Sequence, residues 1–218
     1  MSDGMQSGVD LMALRRDYRL FGLDESEAGD CPFSLFDTWL HAALEQQLPE
    51  PYAMTLATAS ADGVPSARVV LLRQFDANGL VFFTNYESRK GRDLESNPRA
   101  SVVFFWPELE RQVRFEGTVE RISAGESDTY HLRRPPESRY GSAASPQSVV
   151  IANREVLERK VEELRRQFPE GVPRPEHWGG YRLISSVVEF WQGRPSRLHD
   201  RIQFTRNDSV WQRERLAP

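Results

Sequence analysis

Cysteine is nearly missing from this chain of 218 residues: Cys31 stands alone, which excludes an internal disulfide and a cysteine-based metal cluster. The four histidines, His41, His131, His177 and His199, show no metal-ligand spacing. No HExxH, GxSxG, Walker loop or strand-linked GxGxxG is present, so a zinc or serine hydrolase is not expected, nor any metal site. Long apolar runs are missing too. The stretch Val102-Val103-Phe104-Phe105-Trp106 falls far short of the ~20 residues a membrane span requires. Met1 to Asp10 carries neither the basic nor the apolar part of a secretory signal, which makes the cytoplasm the expected compartment. Lysine is the last scarcity: of 28 basic residues only Lys90 and Lys160 are lysines, the other 26 being arginine. Against 32 acidic residues they leave a net charge of -4, which argues against nucleic acid or a membrane surface as partner. The arginine bias fits two readings: codon usage in a GC-rich genome, or planar forks for phosphate and carboxylate.

What is present is a foldable core. Hydrophobic residues make up 39% and aromatics 11%, too much for a disordered chain. The length suits one domain with an appendage, here a mobile arm over residues 1–30 and a single domain over 31–218. In the arm only Leu11 to Leu20 is periodic, predicting a short helix around Leu14 to Tyr18. Ser34 is placed to cap a helix carrying Leu35, Phe36, Trp39, Leu40, Ala43 and Leu44, ended by Pro49 and Pro51. From Tyr52 the period becomes that of strands: Ala53–Ala59, Ser66–Gln74, Leu80–Thr84, Ala100–Trp106 and Gln112–Ile122. Tyr181–Trp191, Arg201–Thr205 and Val210–Arg215 follow. Short turns at Asp62-Gly63 and Asp76 to Gly79 imply antiparallel hairpins. Helices are expected at Ser88–Ser96, Ala124–Leu132 and Arg154–Phe168, and a loop over Pro169–Gly180. The fold class is mainly β with peripheral helices, an antiparallel closed or nearly closed barrel.

Four segments are candidates for chemistry. The strand Arg68-Val69-Val70-Leu71-Leu72-Arg73 places Arg68, Val70 and Leu72 on one face and Val69, Leu71 and Arg73 on the other. Its arginines either face solvent at the sheet rim or meet an anion. Phe83-Thr84-Asn85 then runs into a helix whose first residues are Arg89 and Lys90. Cations are unfavourable at a helix N-terminus, so the pair is either solvated or holds a phosphate with the free amides. In Gln112-Val113-Arg114-Phe115, Gln112 and Arg114 share a face, which is either a solvated outer surface or a place for an amide against a heterocycle. Downstream, Phe190 to Gly193 and Arg197 to Arg201 crowd aromatics and ionisable groups at a tight turn.

In order along the chain, Arg68 to Arg73, Phe83-Thr84-Asn85, Ser88-Arg89-Lys90, Glu110 to Val113, Gln147-Ser148, Phe190 to Gly193, Arg197 to Arg201 and Arg215 to Pro218 resemble the pyridoxamine/pyridoxine 5′-phosphate oxidase family. The resemblance runs from Arg15 to Pro218. It implies an FMN-binding split β-barrel and a homodimer holding each FMN at the subunit interface. It implies an oxidase making pyridoxal 5′-phosphate from pyridoxamine or pyridoxine 5′-phosphate, with dioxygen as acceptor and hydrogen peroxide released. By position, FMN falls to Arg68, Val69, Val70, Leu71, Leu72, Arg73, Phe83, Thr84, Arg89, Lys90, Gln112, Gln147, Ser148, Trp191 and Arg201. The substrate falls to Arg15, Arg16, Asp17, Tyr18, Arg73, Tyr130, Arg134, Ser138, Arg197, Leu198 and His199, with Arg197 and His199 in the catalytic role. Departures are Arg73, where many relatives carry lysine, the Ser-Ala-Ala-Ser after Gly141, which lacks a tryptophan some members have, and the acidic run Asp24 to Asp30. The acidic run removes any ground for a secondary product site. The rivals are a related flavin oxidase on another ring and a non-enzymatic flavin or pyridoxal-phosphate carrier. The group Tyr130, Arg134 and Ser138 argues against the first, and Arg197 with His199 against the second.

Overall fold

The computed structural model describes residues 17–218. In chain order the elements are α1 (Glu25–Ala28), α2 (Pro32–Glu45), β1 (Ala53–Ala59), β2 (Pro65–Leu71), β3 (Gln74–Asp76), β4 (Gly79–Asn85), α3 (Arg89–Ser96), β5 (Arg99–Trp106), β6 (Arg111–Arg121), α4 (Ala124–Arg133), α5 (Pro136–Ala144), α6 (Glu155–Gln167), β7 (Trp178–Gln192), β8 (Asp200–Asn207) and β9 (Val210–Arg215). All nine strands form one antiparallel sheet in the order β2-β1-β5-β6-β7-β4-β3, with β8 on β7 and β9 on β8.

Two features curl this sheet into a split barrel. The first is a corner at Leu72 and Arg73. Leu72 N–H donates to Tyr52 O at 2.9 Å, beside β1, and Arg73 N–H donates to Val81 O at 2.9 Å, in β4. One continuous segment therefore ends the sheet on both sides, and the strand expected over Ser66–Gln74 breaks into β2 and β3 at that corner. The second is β7, fifteen residues long. Its first half pairs with β4, its second half with β8, and nearly all of it with β6. The β6–β7 register shifts between Glu116 and Gly117. A side chain at Gly117 would put its Cβ 1.9 Å from Ile184 O, so only glycine lets the strands approach at this bulge.

Helix α2 plugs the barrel. Phe36 is fully buried, with ring centroids 5.0 Å from Phe75, Phe104 and Phe115. Trp39 meets Phe190 edge-on at 5.2 Å. Burying one such ring contributes about 3 kcal/mol. The helix starts with Cys31 as N-cap and Pro32 at its first position, one turn earlier than the expected Ser34 cap. Proline's fixed φ and missing N–H suit that place. Helix α3 is capped by Ser88 as expected.

Other expectations shift. Asp17 and Tyr18 are not helical, and the rest of the helix expected around Leu14 lies outside the described residues. The loop ending at Gly180 already yields to β7 at Trp178, and α5 is a helix beyond those expected. The apolar residues of α6, Leu157, Val161 and Leu164, are half-buried. Within the expected arm, residues 17–30 run along the C-terminal strand pair. Glu110 accepts from the amides of Arg19 and Leu20, Asp200 from that of Leu23, and Arg215 grips Glu25 and Leu23 O. Arg215 is thus engaged by acidic neighbours. No helix of the described residues is long and apolar enough to cross a membrane.

Candidate functional site

The corner at Arg73, the end of β4, the start of α3, helices α4 and α5 and the loop at 145–148 enclose a cavity of about 850 Å³. Five cations line it: Arg68, Arg73, Arg89, Lys90 and Arg134. Among the described residues none of its lining side chains is acidic.

Lys90 is the most constrained of the five. It is 8% exposed, and its Nζ donates to Gln147 Oε1 at 2.7 Å, Thr84 Oγ1 at 3.0 Å and Ser88 Oγ at 3.3 Å. All three acceptors are neutral. Burial, then the nearby Arg68 guanidinium, bring its pKa down to about 8. The free first-turn amides of α3 add partial positive charge beside it. Arg68 is held by Thr58 Oγ1 at 2.8 Å, Leu56 O at 3.2 Å and Ser66 Oγ at 2.6 Å, with Asp93 only at 4.0 Å. Burial lowers its pKa, Asp93 opposes that and Arg89 adds to it.

Across the cavity a second group forms. Arg134 donates to Ser142 Oγ and Ser138 O, both at 2.9 Å, and lies 4.5 Å above the Trp178 ring. Phe83 stacks on Tyr130 at 3.9 Å and on Trp178 at 5.5 Å, making an aromatic wall. The cations fall into two sets by the elements that carry them: Arg68 on β2 with Arg89 and Lys90 at the start of α3, and Arg73 at the corner with Arg134 at the end of α4. The cavity can therefore take two anionic groups, with flat rings against the aromatic wall.

The remaining expected residues gather elsewhere in the chain. Gln112 pairs with Trp191, and Trp191 with Arg201, so the three form a straight row across β6, β7 and β8. The row continues to Phe105 on β5, which is 53% exposed. The next row along the same face runs Val69-Thr55-Val103-Arg114-Glu189-Gln203, and Val69 at its end is 66% exposed. Beside Trp191 stands His199, with ring centroids 4.7 Å apart, and Tyr18 meets both edge-on at 5.6 and 5.7 Å. Gly193 allows this, since a Cβ there would lie 2.7 Å from the Tyr18 ring. His199 Nδ1 accepts from Arg194 N–H at 3.1 Å, which leaves Nε2 to carry the proton of the neutral ring. Burial and then Arg197 lower its pKa, against Asp200. Arg197 is exposed at φ +64°, in a turn where Ser196 is also left-handed.

Of the expected site residues, Arg68, Val69, Val70, Leu71, Arg73, Phe83, Thr84, Arg89, Lys90, Gln147, Ser148, Tyr130, Arg134 and Ser138 line the cavity. Leu72 does not: its side chain is in the core at 5% exposure. The row residues Gln112, Trp191 and Arg201 and the turn Arg197-Leu198-His199 lie off the cavity. Asp17 is exposed and paired to Arg19, and Arg15 and Arg16 lie outside the described residues. Sequence reasoning missed Ser66, Gly141, Ser142, Ser145 and Trp178, and quoted Asn85 in its motif without giving it a role. Only Pro136, a suitable first residue of a helix, signalled α5 and hence Ser142.

A family model described as pyridoxamine 5′-phosphate oxidase matches residues 40–168. A second, described as the pyridoxine 5′-phosphate oxidase C-terminal dimerisation region, matches residues 178–218. The chain is 56% identical over 205 residues to the pyridoxine/pyridoxamine 5′-phosphate oxidase of Thermosynechococcus vestitus, covering 94% of this chain and 97% of that one. Its likeness to the protein of that name from Pseudomonas paraeruginosa is also 56%, over 211 residues, with 95% and 98% covered. Among solved structures it is similar to PhzG from Burkholderia lata 383 in complex with tetrahydrophenazine-1-carboxylic acid, at 32% identity and TM-score 0.87, covering 93% of this chain and 100% of that one. A pyridoxamine 5′-phosphate oxidase-related, FMN-binding protein from Nostoc punctiforme, 20% identical with TM-score 0.67, shares the fold over 84% of this chain and 96% of its own. With family models matching residues 40–168 and 178–218 and relatives above half identity along nearly its full length, this chain belongs to the pyridoxamine 5′-phosphate oxidase family.

Proposed function

We propose that the protein is an FMN-dependent oxidase that converts pyridoxamine 5′-phosphate and pyridoxine 5′-phosphate to pyridoxal 5′-phosphate, reducing dioxygen to hydrogen peroxide. The observation that carries this reading is the pair of cation sets in a cavity whose described lining has no carboxylate. FMN fits the first set. A buried ammonium with neutral partners, a neighbouring guanidinium and open helix amides together call for a phosphate dianion. Arg73, Arg134, Tyr130 and Ser138 would hold the substrate phosphate, with the Phe83 wall nearby.

The working unit in this reading is a homodimer. From β2 to β8 is five strand spacings, about 24 Å along the curl. The row Gln112-Trp191-Arg201 therefore joins the cavity when a second copy lays its row over the first copy's Val69, a self-complementary twofold contact. The exposed Phe105 and Val69 on that face, and the match of β7 to β9 to a dimerisation region, support it. Bound FMN would accept a hydride from the substrate's 4′ carbon and pass both electrons to dioxygen. The protein's part is position and field. Arg197 orients the ring and stabilises charge as hydride leaves, and His199, neutral with its proton on Nε2, sits next to it as a hydrogen-bond donor. Water then releases ammonia from the oxidised amine, whereas the alcohol becomes the aldehyde directly.

The structural likeness to PhzG favours one other reading, a ring substrate bearing a carboxylate. Both are separated by one assay. The purified protein is expected to show flavin absorbance, to bleach anaerobically with pyridoxamine 5′-phosphate, and to give one peroxide per aldehyde on admitting air. Bleaching by an unphosphorylated ring acid alone would establish the second reading, and no bleaching with either would overturn the oxidase assignment.

A further inference from the structure

A carboxylate buried on the face that carries the Gln112-Trp191-Arg201 row has no part in the assignments above. Glu189 lies in β7 two residues before Trp191, so its side chain leaves the sheet on the same face. That side chain is 2% exposed. Its Oε1 accepts from Arg201 Nε at 2.8 Å, and its Oε2 from Arg114 Nη2 at 2.5 Å. Arg201 is also held at another corner, where Nη1 donates to Ala217 O at 2.8 Å in the C-terminal tail. Its Nη2 has no hydrogen-bond partner among the described residues. A planar guanidinium fixed at two of its three nitrogens has one remaining direction in which to donate. Burying a charge is costly, and a shape-matched apolar trio would pack the same strands at least as well, so stability alone does not explain a carboxylate here.

We propose that Glu189 is a positioning residue: it locks the Arg201 guanidinium so that its free Nη2 presents to the flavin. This rests on the reading that Arg201 contacts FMN. Glu189 itself touches neither flavin nor substrate. It neutralises the charge that Arg201 and Arg114 would otherwise set side by side, and it holds Arg201 upright from the strand beneath.

The test is a double-mutant cycle on the full-length dimer, reading the FMN dissociation constant by quenching of flavin fluorescence, with kcat and KM alongside. Arg201→Gln is expected to weaken FMN by about tenfold, Glu189→Gln by about tenfold, and the double variant by no more than either, because both remove one interaction. Losses that multiply to about a hundredfold would show that Glu189 acts only on the fold, and overturn the proposal. Wild-type affinity in Glu189→Gln beside a loss in Arg201→Gln would overturn it as well. Wild-type affinity in Arg201→Gln would instead remove Arg201 from the flavin site, and the proposal would fall with the reading beneath it. If Glu189→Gln does not fold, the paired change Arg114→Met with Glu189→Met removes the carboxylate together with the second arginine leaning on it, which otherwise keeps only Glu116, 2.7 Å from its Nε. It is expected to show the same loss, and wild-type affinity in it counts against the proposal.

Discussion

Replacing Lys90 by methionine is expected to weaken FMN binding by about two orders of magnitude while leaving the apo fold intact. The ammonium is buried against three neutral acceptors, so in the free protein it is desolvated without a counter-charge. Methionine fills the same space without that cost. In the complex the ammonium meets a phosphate dianion at low exposure, where loss of one charged partner costs about 2–5 kcal/mol. The pH dependence follows from the same group. Its folded pKa of about 8 lies below the ordinary 10.5 because of burial and then Arg68. Between those values the unfolded chain holds the proton and the folded apo protein does not, so apo stability rises with pH across that window. Phosphate needs the proton, so FMN affinity falls over the same window and is flat below it. Titrating apoprotein with FMN from pH 7 to 10, beside thermal melts, is expected to show these opposite slopes, with both absent in Lys90→Met. Parallel slopes would mean that Lys90 does not face the phosphate.

Replacing Arg197 by alanine is expected to lower kcat/KM for pyridoxamine 5′-phosphate by about a hundredfold or more and to change FMN affinity less than threefold, in the range of a lost transition-state donor. Arg197 is exposed, stands in a left-handed turn and makes no hydrogen bond or ion pair among the described residues, so the fold does not depend on its side chain. What the fold does fix is the turn, through Arg194 N–H on His199 and His199 against Trp191. Arg89→Ala is the counterpart, expected to weaken FMN while turnover of the saturated enzyme persists. Steady-state kinetics at saturating FMN together with flavin titration separate the two. Equal losses of both quantities in both variants would show that the division of roles is wrong.

Much of this was legible in the chain itself because local rules carried it. β1 and β9 fall where alternation places them, and Ser88 caps α3 as its hydroxyl dictates. Local pattern could not show that Arg68 to Arg73 turns a corner, because that bend is set by two hydrogen bonds to distant strands. Nor could it rank Arg89 against Lys90. Adjacent helical residues point about 100° apart, so one is exposed and the other buried. Gln112, Trp191 and Arg201 are scattered in sequence, and only register lines them up. Glu189 escaped notice for a related reason: a carboxylate in an apolar strand has meaning only once its neighbours across two strands are known to be arginines. Leu72 went the other way, since its place in a run of flavin-assigned positions hid an ordinary core residue.

Strand β7 begins at Trp178, in one cavity, and next to its last residue carries Trp191, which lies off that cavity. If the faces of two copies meet as proposed, each such strand serves its own copy's cavity at one end and its neighbour's at the other. Inheritance then follows the strand rather than the site. A chain damaged at Lys90 and a chain damaged at Arg201 would, when mixed, assemble one centre carrying both lesions and one carrying none. Each mixed dimer would work at about half the rate of a normal one, so two inactive alleles of this gene pairing at random could rescue each other to about a quarter of normal activity, whereas two alleles damaged in the same half could not.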